Sequence, residues 1–270
     1  MGSAKLLATA GAATFLSLSS AFAADLRLPP PPPVADFGGW YLRGDIGMSN
    51  QRFSGLSHPD FATAQSFTFL DKGGFDSGVI YGLGIGYAWN SWLRFDVRGE
   101  YRGGVGFHAL DSFFNTGTAA FNTNDYTATK TEWVVLANAY LDLGTWWSIT
   151  PFIGAGVGAA DISIAHFRDN NIIAGGGWAP TGSQTNFAWA LHAGADYKVT
   201  PGFTVELAYR YLNMGDAHTG TLVNLDPTFV SGNPLAPMTF KSLYSHDIML
   251  GVRWMLEPEP VYQPPLVRKG

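Results

Sequence analysis

"WLRFDVRGEYR", Trp92 to Arg102, is the stretch on which the fold turns. Arg94, Asp96, Arg98, Glu100 and Arg102 take every second position, and Leu93, Phe95, Val97, Gly99 and Tyr101 take the others. Side chains of a strand point alternately to opposite faces, so this is a β-strand with one ionised face and one apolar face. A soluble barrel would turn the apolar face inward. A barrel in an outer membrane reverses the two faces.

Composition narrows the choice. The chain is 46% hydrophobic and 14% aromatic but only 14% charged, with 33 glycines, 16 prolines and no cysteine. This suits a turn-rich β-protein or one with a lipid-facing surface, and a barrel of this length can be one domain. A net charge of −5 with scattered basic residues argues against a nucleic-acid partner. The missing cysteine excludes thiol catalysis and disulfides.

The N-terminus reads as a secretory signal over 1–23. Lys5 supplies the positive start, "LLATAGAATFLSLSS" the apolar run, and Ala21-Phe22-Ala23 the A-x-A cleavage site. The apolar run is too short for a good spanning helix, and no other segment approaches the ~20 apolar residues a helix needs. Any membrane crossing is therefore by strands. Residues 24–39 contain the run Pro29 to Pro33, a stiff polyproline II spacer. Residues 257–270, again proline-rich, read as a disordered periplasmic tail.

Between them, over 40–256, eight segments alternate with period two. They start at Trp40, Gly78, Trp92, Thr131, Ile149, Phe187, Phe203 and His246. A strand of about 11 residues, tilted by ~40°, spans roughly 28 Å, close to the apolar band of an outer-membrane barrel. The second, fourth and sixth connections are tiny: Asn90–Ser91, Gly144–Ser148 and Thr200–Gly202. The intervening ones are long, roughly 51–77, 103–130, 162–186 and 214–245, and read as surface loops. Membrane barrels sort connections this way, with short periplasmic turns and long extracellular loops, and an even strand count leaves both termini periplasmic.

One face of the eight segments carries residues such as Leu42, Ile85, Phe95, Val135, Val157, Leu191, Leu207 and Leu250, and no charge. An apolar band of that size would aggregate in water. The other face holds Arg43, Arg94, Arg98, Arg102, Lys198, Arg210 and Arg253 against Asp45, Asp96, Glu100, Glu132, Asp142, Asp196, Glu206 and Asp247, with His192 among them. Gly82, Gly84, Gly86, Gly154, Gly156, Gly158 and Gly194 leave room for the long chains in an interior that side chains just fill. Trp40, Trp89, Trp92, Trp146, Trp147 and Trp254 lie by the short turns; Tyr81, Tyr101, Trp133, Trp189 and Tyr211 lie near the other ends. Two such rings are the aromatic girdles of a membrane barrel. The competing architecture, a soluble lipocalin-like barrel, would leave the glycines outside without purpose. We expect an all-β, eight-stranded antiparallel up-and-down transmembrane barrel whose ion pairs plug it and tie strand to strand.

"GWYLRGDIG", "GLGIGYAWNSWLRFDVRGEYR", "YLDLGTWWSITPFIGAGVGAA", "VELAYRYLNMG" and "HDIMLGVRWML" resemble the small outer-membrane β-barrel surface proteins of Gram-negative bacteria, the porin-family or opacity-like group. That group is similar in architecture to the membrane domain of outer membrane protein A. The resemblance implies the cell outer membrane, with lipid and lipopolysaccharide around the barrel. It further implies the barrel-assembly machinery and periplasmic chaperones as partners, and peptidoglycan or surface ligands reached through the tail or loops. These barrels usually end at an aromatic residue; here Trp254 and Leu256 precede the tail.

Chemistry is sparse. His192 lies one strand from Glu206, the spacing of a possible acid–base pair or of a plain lumen contact. His246 reads as an inward or rim residue, and Ser245-His246-Asp247 alternate faces, so they cannot form a triad. "GLGIG" and "GAGVG" sit inside strands with no helix following, which rejects phosphate binding. Metal-ligand spacing is absent, and no cofactor or enzyme activity is expected. The function expected is structural: envelope integrity and surface contact through four long loops. A narrow channel gated by the lumen pairs is the alternative, and a lipid-modifying barrel the third.

Overall fold

The computed structural model describes residues 38–171, 175–225 and 236–256. The signal segment, most of the 24–39 spacer and the 257–270 tail lie outside the described residues. The elements run β1 (Gly39–Arg52), β2 (Gly55–Ser57), α1 (Pro59–Thr63), β3 (Gln65–Phe75), β4 (Gly78–Ala88), β5 (Leu93–Asn115) and β6 (Ala120–Asp142). They continue β7 (Ile149–Asn171), β8 (Gly177–Ala179), β9 (Gly182–Thr200), β10 (Phe203–Thr221), β11 (Val223–Asn224) and β12 (Pro237–Met255). Eight of these close a ring in the order β1-β4-β5-β6-β7-β9-β10-β12, every contact antiparallel. The β1–β12 seam runs from Tyr41 opposite Met255 to Arg52 opposite Tyr244, so the ring has no free edge there.

Around the short-turn half, the faces are those the alternation predicts. Leu83 is 75% exposed and Arg98 1%. Lys198, read as inward, is instead exposed, because it sits past the last layer of lumen side chains at the short-turn rim. The glycines make room mainly for aromatic rings. A Cβ at Gly86 would stand 2.2 Å from the Tyr41 ring, one at Gly154 2.5 Å from Tyr140, and one at Gly194 2.7 Å from Phe152. Gly84, beside the Arg43 stem at 3.0 Å, and Gly82, beside the Glu100 stem at 3.4 Å, leave space for long charged chains.

The long connections are corrected most. They are not loops in the main: β5 and β6 are each 23 residues and meet at a turn beyond Asn115, and β7 is also 23. At about 3.3 Å per residue these strands are roughly twice as long as the apolar band requires. The barrel continues well past the second girdle. His108, His166 and His218 therefore lie on strands rather than in loops.

In that extension the inside–outside rule inverts. Val105, Phe107, Tyr126, Ile164, Phe167, Met214 and Phe240 are buried inside. Thr123, Asp125, Thr127, Arg168, Asn170, Thr185 and Asp216 face outward. Four register shifts effect the change. On β5 inward residues switch from even (Arg102) to odd (Val105) across Gly103–Gly104. On β7 the switch falls at His166, on β10 at Gly215 and on β12 at Ser242, all three with positive φ. A bulge inserts one unpaired residue, so every side chain beyond it changes face. The phenylalanines of "SFTFL" fold against α1, with Phe61 and Phe67 stacked at 4.5 Å and Phe61 and Phe69 edge-on at 5.5 Å.

The Gly86–Tyr41 fit yields a direct test. Gly86→Ala should lower stability by about 1–3 kcal/mol through overpacking, and adding Tyr41→Leu should restore part of it. Urea unfolding of the refolded barrel in lipid measures both.

Candidate functional site

The lumen of the membrane zone holds one continuous ion-pair network, built by inward positions of all eight ring strands except the glycine-lined β4 and the small-residue wall of β7. At the short-turn end, Arg94 reaches Asp142 (3.1 Å), Asp196 (3.5 Å) and Glu206 (3.4 Å). Arg253 binds Asp196 at 2.6 Å. Arg43 joins three carboxylates from three strands: Asp45 (2.8 Å), Asp96 (2.6 Å) and Glu206 (2.8 Å).

The middle layer links Arg98 to Glu100 (2.6 Å) and Asp45 (3.4 Å). Arg210 donates twice to Glu100, at 2.5 and 2.7 Å, and twice to Asp247, at 2.8 and 3.0 Å. Above it Arg102 binds Glu132 (2.6 Å), Asp247 (2.9 Å) and the Ser245 hydroxyl (2.8 Å). Ser49 also accepts from Arg102, and Lys130 caps the column on Glu132. Lys130 Nζ lies 4.4 Å from the Phe75 ring centre, where the ionic layer meets the apolar plug.

Aromatic faces share the lower cavity. The Arg94 guanidinium sits 4.2 Å from the centre of Tyr140 and 4.6 Å from that of Phe152. A weakly hydrated, planar guanidinium tolerates such surroundings better than an ammonium.

His192 does not pair with Glu206. Register sets it opposite Arg210 and Glu206 opposite Asp196, and its Nε2 meets Asn138 Oδ1 at 3.1 Å. Asn138 in turn donates to Asp96 at 2.7 Å. His246 is not inward: it is exposed on the barrel's outside, opposite Tyr211 and bonded to Tyr209 at 2.7 Å. Ser245 and Asp247 face inward, on Arg102. The girdle tryptophans Trp40, Trp89, Trp92, Trp133, Trp146, Trp147, Trp189 and Trp254 and the tyrosine Tyr81 are exposed, while Tyr101 and Tyr211 are half-buried by neighbouring rings.

Sequence reasoning passed over Tyr41, Lys130, Asn138, Tyr140 and Phe152 in the lumen. Tyr41, Lys130 and Tyr140 lie two positions from a charged residue already assigned inward, and Asn138 lies four from Asp142 on the same parity. The parity was the available signal.

A second polar cluster lies outside the membrane zone. Asp111 accepts from the Tyr126 hydroxyl (2.6 Å) and from Asn124 (3.3 Å to N). Asn171 donates to Asn124 at 2.8 Å. Burial, then Asp111, then Asp125, push the Asp169 carboxyl up to about 7; burial also raises Asp111.

This geometry defines an integral membrane barrel of the small, side-chain-filled kind. The chain belongs to the outer membrane protein beta-barrel domain family, whose model matches residues 9–254, and its place is the outer membrane. It is 31% identical to an uncharacterised protein of Brucella suis biovar 1 (75% of this chain, 79% of the other). It is 28% identical to a candidate adhesin of Rickettsia prowazekii (92% and 97%). Among solved structures it is similar to the outer membrane protein OprG from Pseudomonas aeruginosa, with TM-score 0.47, 14% identity and coverage of 81% and 97%.

Two outcomes follow. Arg210→Met leaves Glu100 and Asp247 short of a buried partner and should cost about 3–5 kcal/mol; adding Glu100→Gln should cost less than the sum of the two single changes, in urea unfolding of the lipid-embedded barrel. The second concerns pH. Because the folded-state pKa of Asp169 is raised above its unfolded value near 3.9, folding favours the protonated acid, and stability should fall as pH climbs from about 4 through 7. Asp169→Asn should flatten that slope in the urea midpoint.

Proposed function

We propose that this protein is a structural outer-membrane barrel that carries a rigid β-cylinder beyond the bilayer for surface contact, with both chain ends on the periplasmic side. The single observation behind this reading is a lumen filled in two successive layers, ionic and then apolar, leaving the protruding wall as the part free to act. Surrounding lipid and lipopolysaccharide hold the girdled band; the barrel-assembly machinery and periplasmic chaperones deliver it there. The Rickettsia relative's designation as a candidate adhesin favours contact with surfaces over envelope bracing alone. Peptidoglycan contact through the tail belongs to the same proposal.

A narrow gated channel is the second reading, because an ion-pair column is a ready gate. Against it stand the apolar plug above that column and the side-chain-filled width of an eight-stranded ring. The enzyme reading draws little support: His192 meets an amide rather than a carboxylate, and Ser245 and His246 face opposite sides of the wall.

Planar-bilayer recording separates the first two. Purified wild-type protein should give no stable large conductance, and Arg98→Ala with Glu100→Ala should stay closed because the apolar layer remains. Steady conductance from the wild type, or a leak opened by the double variant, would establish the channel instead.

A further inference from the structure

At the far end of the barrel from the short turns lies a cavity of about 660 Å³, walled by α1, by the β5–β6 turn and by the ends of β6 and β7. This volume falls in the range that holds small molecules. One side is aromatic. Phe61 and Phe67 stack at 4.5 Å, and Tyr126 stands edge-on to Phe61 at 6.4 Å. The other side is acidic. Asp169 and Asp60 line it, and no Lys or Arg is among the described residues that do; His58 is the sole basic type there.

The charge pattern differs from that of the lumen. There each carboxylate meets an arginine or lysine. Here Asp169 Oδ1 is buried and has no hydrogen-bond donor. Its acidic neighbour Asp111 is satisfied by Tyr126 and Asn124, and Asp125 turns outward to His108 at 3.1 Å. An unsatisfied buried carboxyl group carries a penalty that a partner removes. Of these carboxyls Asp169 is the one left without a cation among the described residues, and the basic side chain on the cavity wall, His58, is turned to Asp60 at 3.4 Å.

We propose that this cavity binds a small organic cation, an amine or guanidine on a short apolar body, with the cationic group on Asp169 and the body against Phe61, Phe67 and Tyr126. The chemistry of each wall fits. A carboxylate in a partly desolvated site attracts an ammonium or guanidinium strongly. The negative faces of the rings attract the same charge and shelter its alkyl stem. An anion would meet two aspartates, and the basic side chain on the wall, His58, already faces one of them, Asp60. A neutral sugar would leave the Asp169 charge uncompensated. The site does not depend on the surface-contact reading, nor on which side of the membrane the extension occupies.

Titration calorimetry on the full-length barrel, folded in lipid nanodiscs at pH 8, tests this with agmatine as the probe and n-butanol as its uncharged control. Agmatine should bind saturably. Asp169→Asn should weaken it at least tenfold and Phe61→Leu at least threefold, while Asp161→Asn, an outward acid on the same strand, should leave it unchanged. Heat-modifiable gel mobility reports that each variant is folded; if Asp169→Asn does not fold, the Phe61→Leu result decides. No saturable heat with agmatine, equal binding of n-butanol, full affinity in Asp169→Asn, or an equal loss in Asp161→Asn would each overturn the proposal.

Discussion

The whole structure rests on ring closure. In lipid a backbone N–H or C=O without a partner costs several kcal/mol, and no water is present to take its place. A sheet meets that demand only when its first and last strands pair. The β1–β12 ladder does this over twelve consecutive residue pairs, from Tyr41–Met255 to Arg52–Tyr244. Once an eight-strand ring is closed, its interior is about one side chain deep, and what fills it is settled by what the outside must be. Lipid outside requires Leu42, Leu83, Val97 and Leu250 there, which sends their alternate neighbours Arg43, Arg98 and Gly251 inward.

Closure also explains why the ionic layer takes the form of a network. A buried arginine beside a single carboxylate leaves donors unused, and each unused donor is a penalty. Arg43 reaches carboxylates on β1, β5 and β10, and Arg210 holds Glu100 on the opposite wall with both arms of its fork. Apart from Arg43–Asp45, which runs along β1, these contacts cross between strands, so each arginine ties distant staves together. The glycines opposite Tyr41, Tyr140 and Phe152 let rings occupy the remaining width, and Arg94 packs over two of them, Tyr140 and Phe152.

The membrane zone was legible in the sequence because alternation there is unbroken. From Arg94 to Arg102 every even residue is ionised, and parity alone assigns both faces. The extension was illegible for a specific reason. Each of four strands carries a bulge at the border, and beyond it the pattern resumes out of phase, so a reader following parity sees it stop. Gly103–Gly104 and Gly215 are the kind of glycine signal that marks a bulge. His166 and Ser242 are not, since nothing in either residue type announces a left-handed backbone. The mouth cavity was hidden further, because it joins Phe61 to Asp169 across more than a hundred residues of chain. His192 was misassigned to Glu206 by a register that only the strand pairing fixes.

The bulges reconcile two requirements that otherwise conflict. A strand long enough to leave the bilayer needs an apolar outside in lipid and a polar outside in water, yet it must remain amphipathic throughout. A strand equally apolar on both faces would tolerate a one-residue slip, because no side chain would then be on the wrong side. Below the border, a slip of β5 would push Arg98 and Glu100 into hydrocarbon. Above it, the same slip would expose Phe107 to water and bury His108. Each half is thus pinned by its own contrast, and the contrasts have opposite signs. One inserted residue at Gly103–Gly104, His166, Gly215 and Ser242 converts the first contrast into the second without interrupting the ladder for more than a step. β6 and β9 need no such device: their inward positions keep one parity and change chemistry instead, Tyr140, Glu132 and Tyr126 following one another on β6 and His192, Ala190 and Ala188 on β9. The apolar plug and the ion-pair column are therefore a single continuous interior, written in two phases of the same alternation.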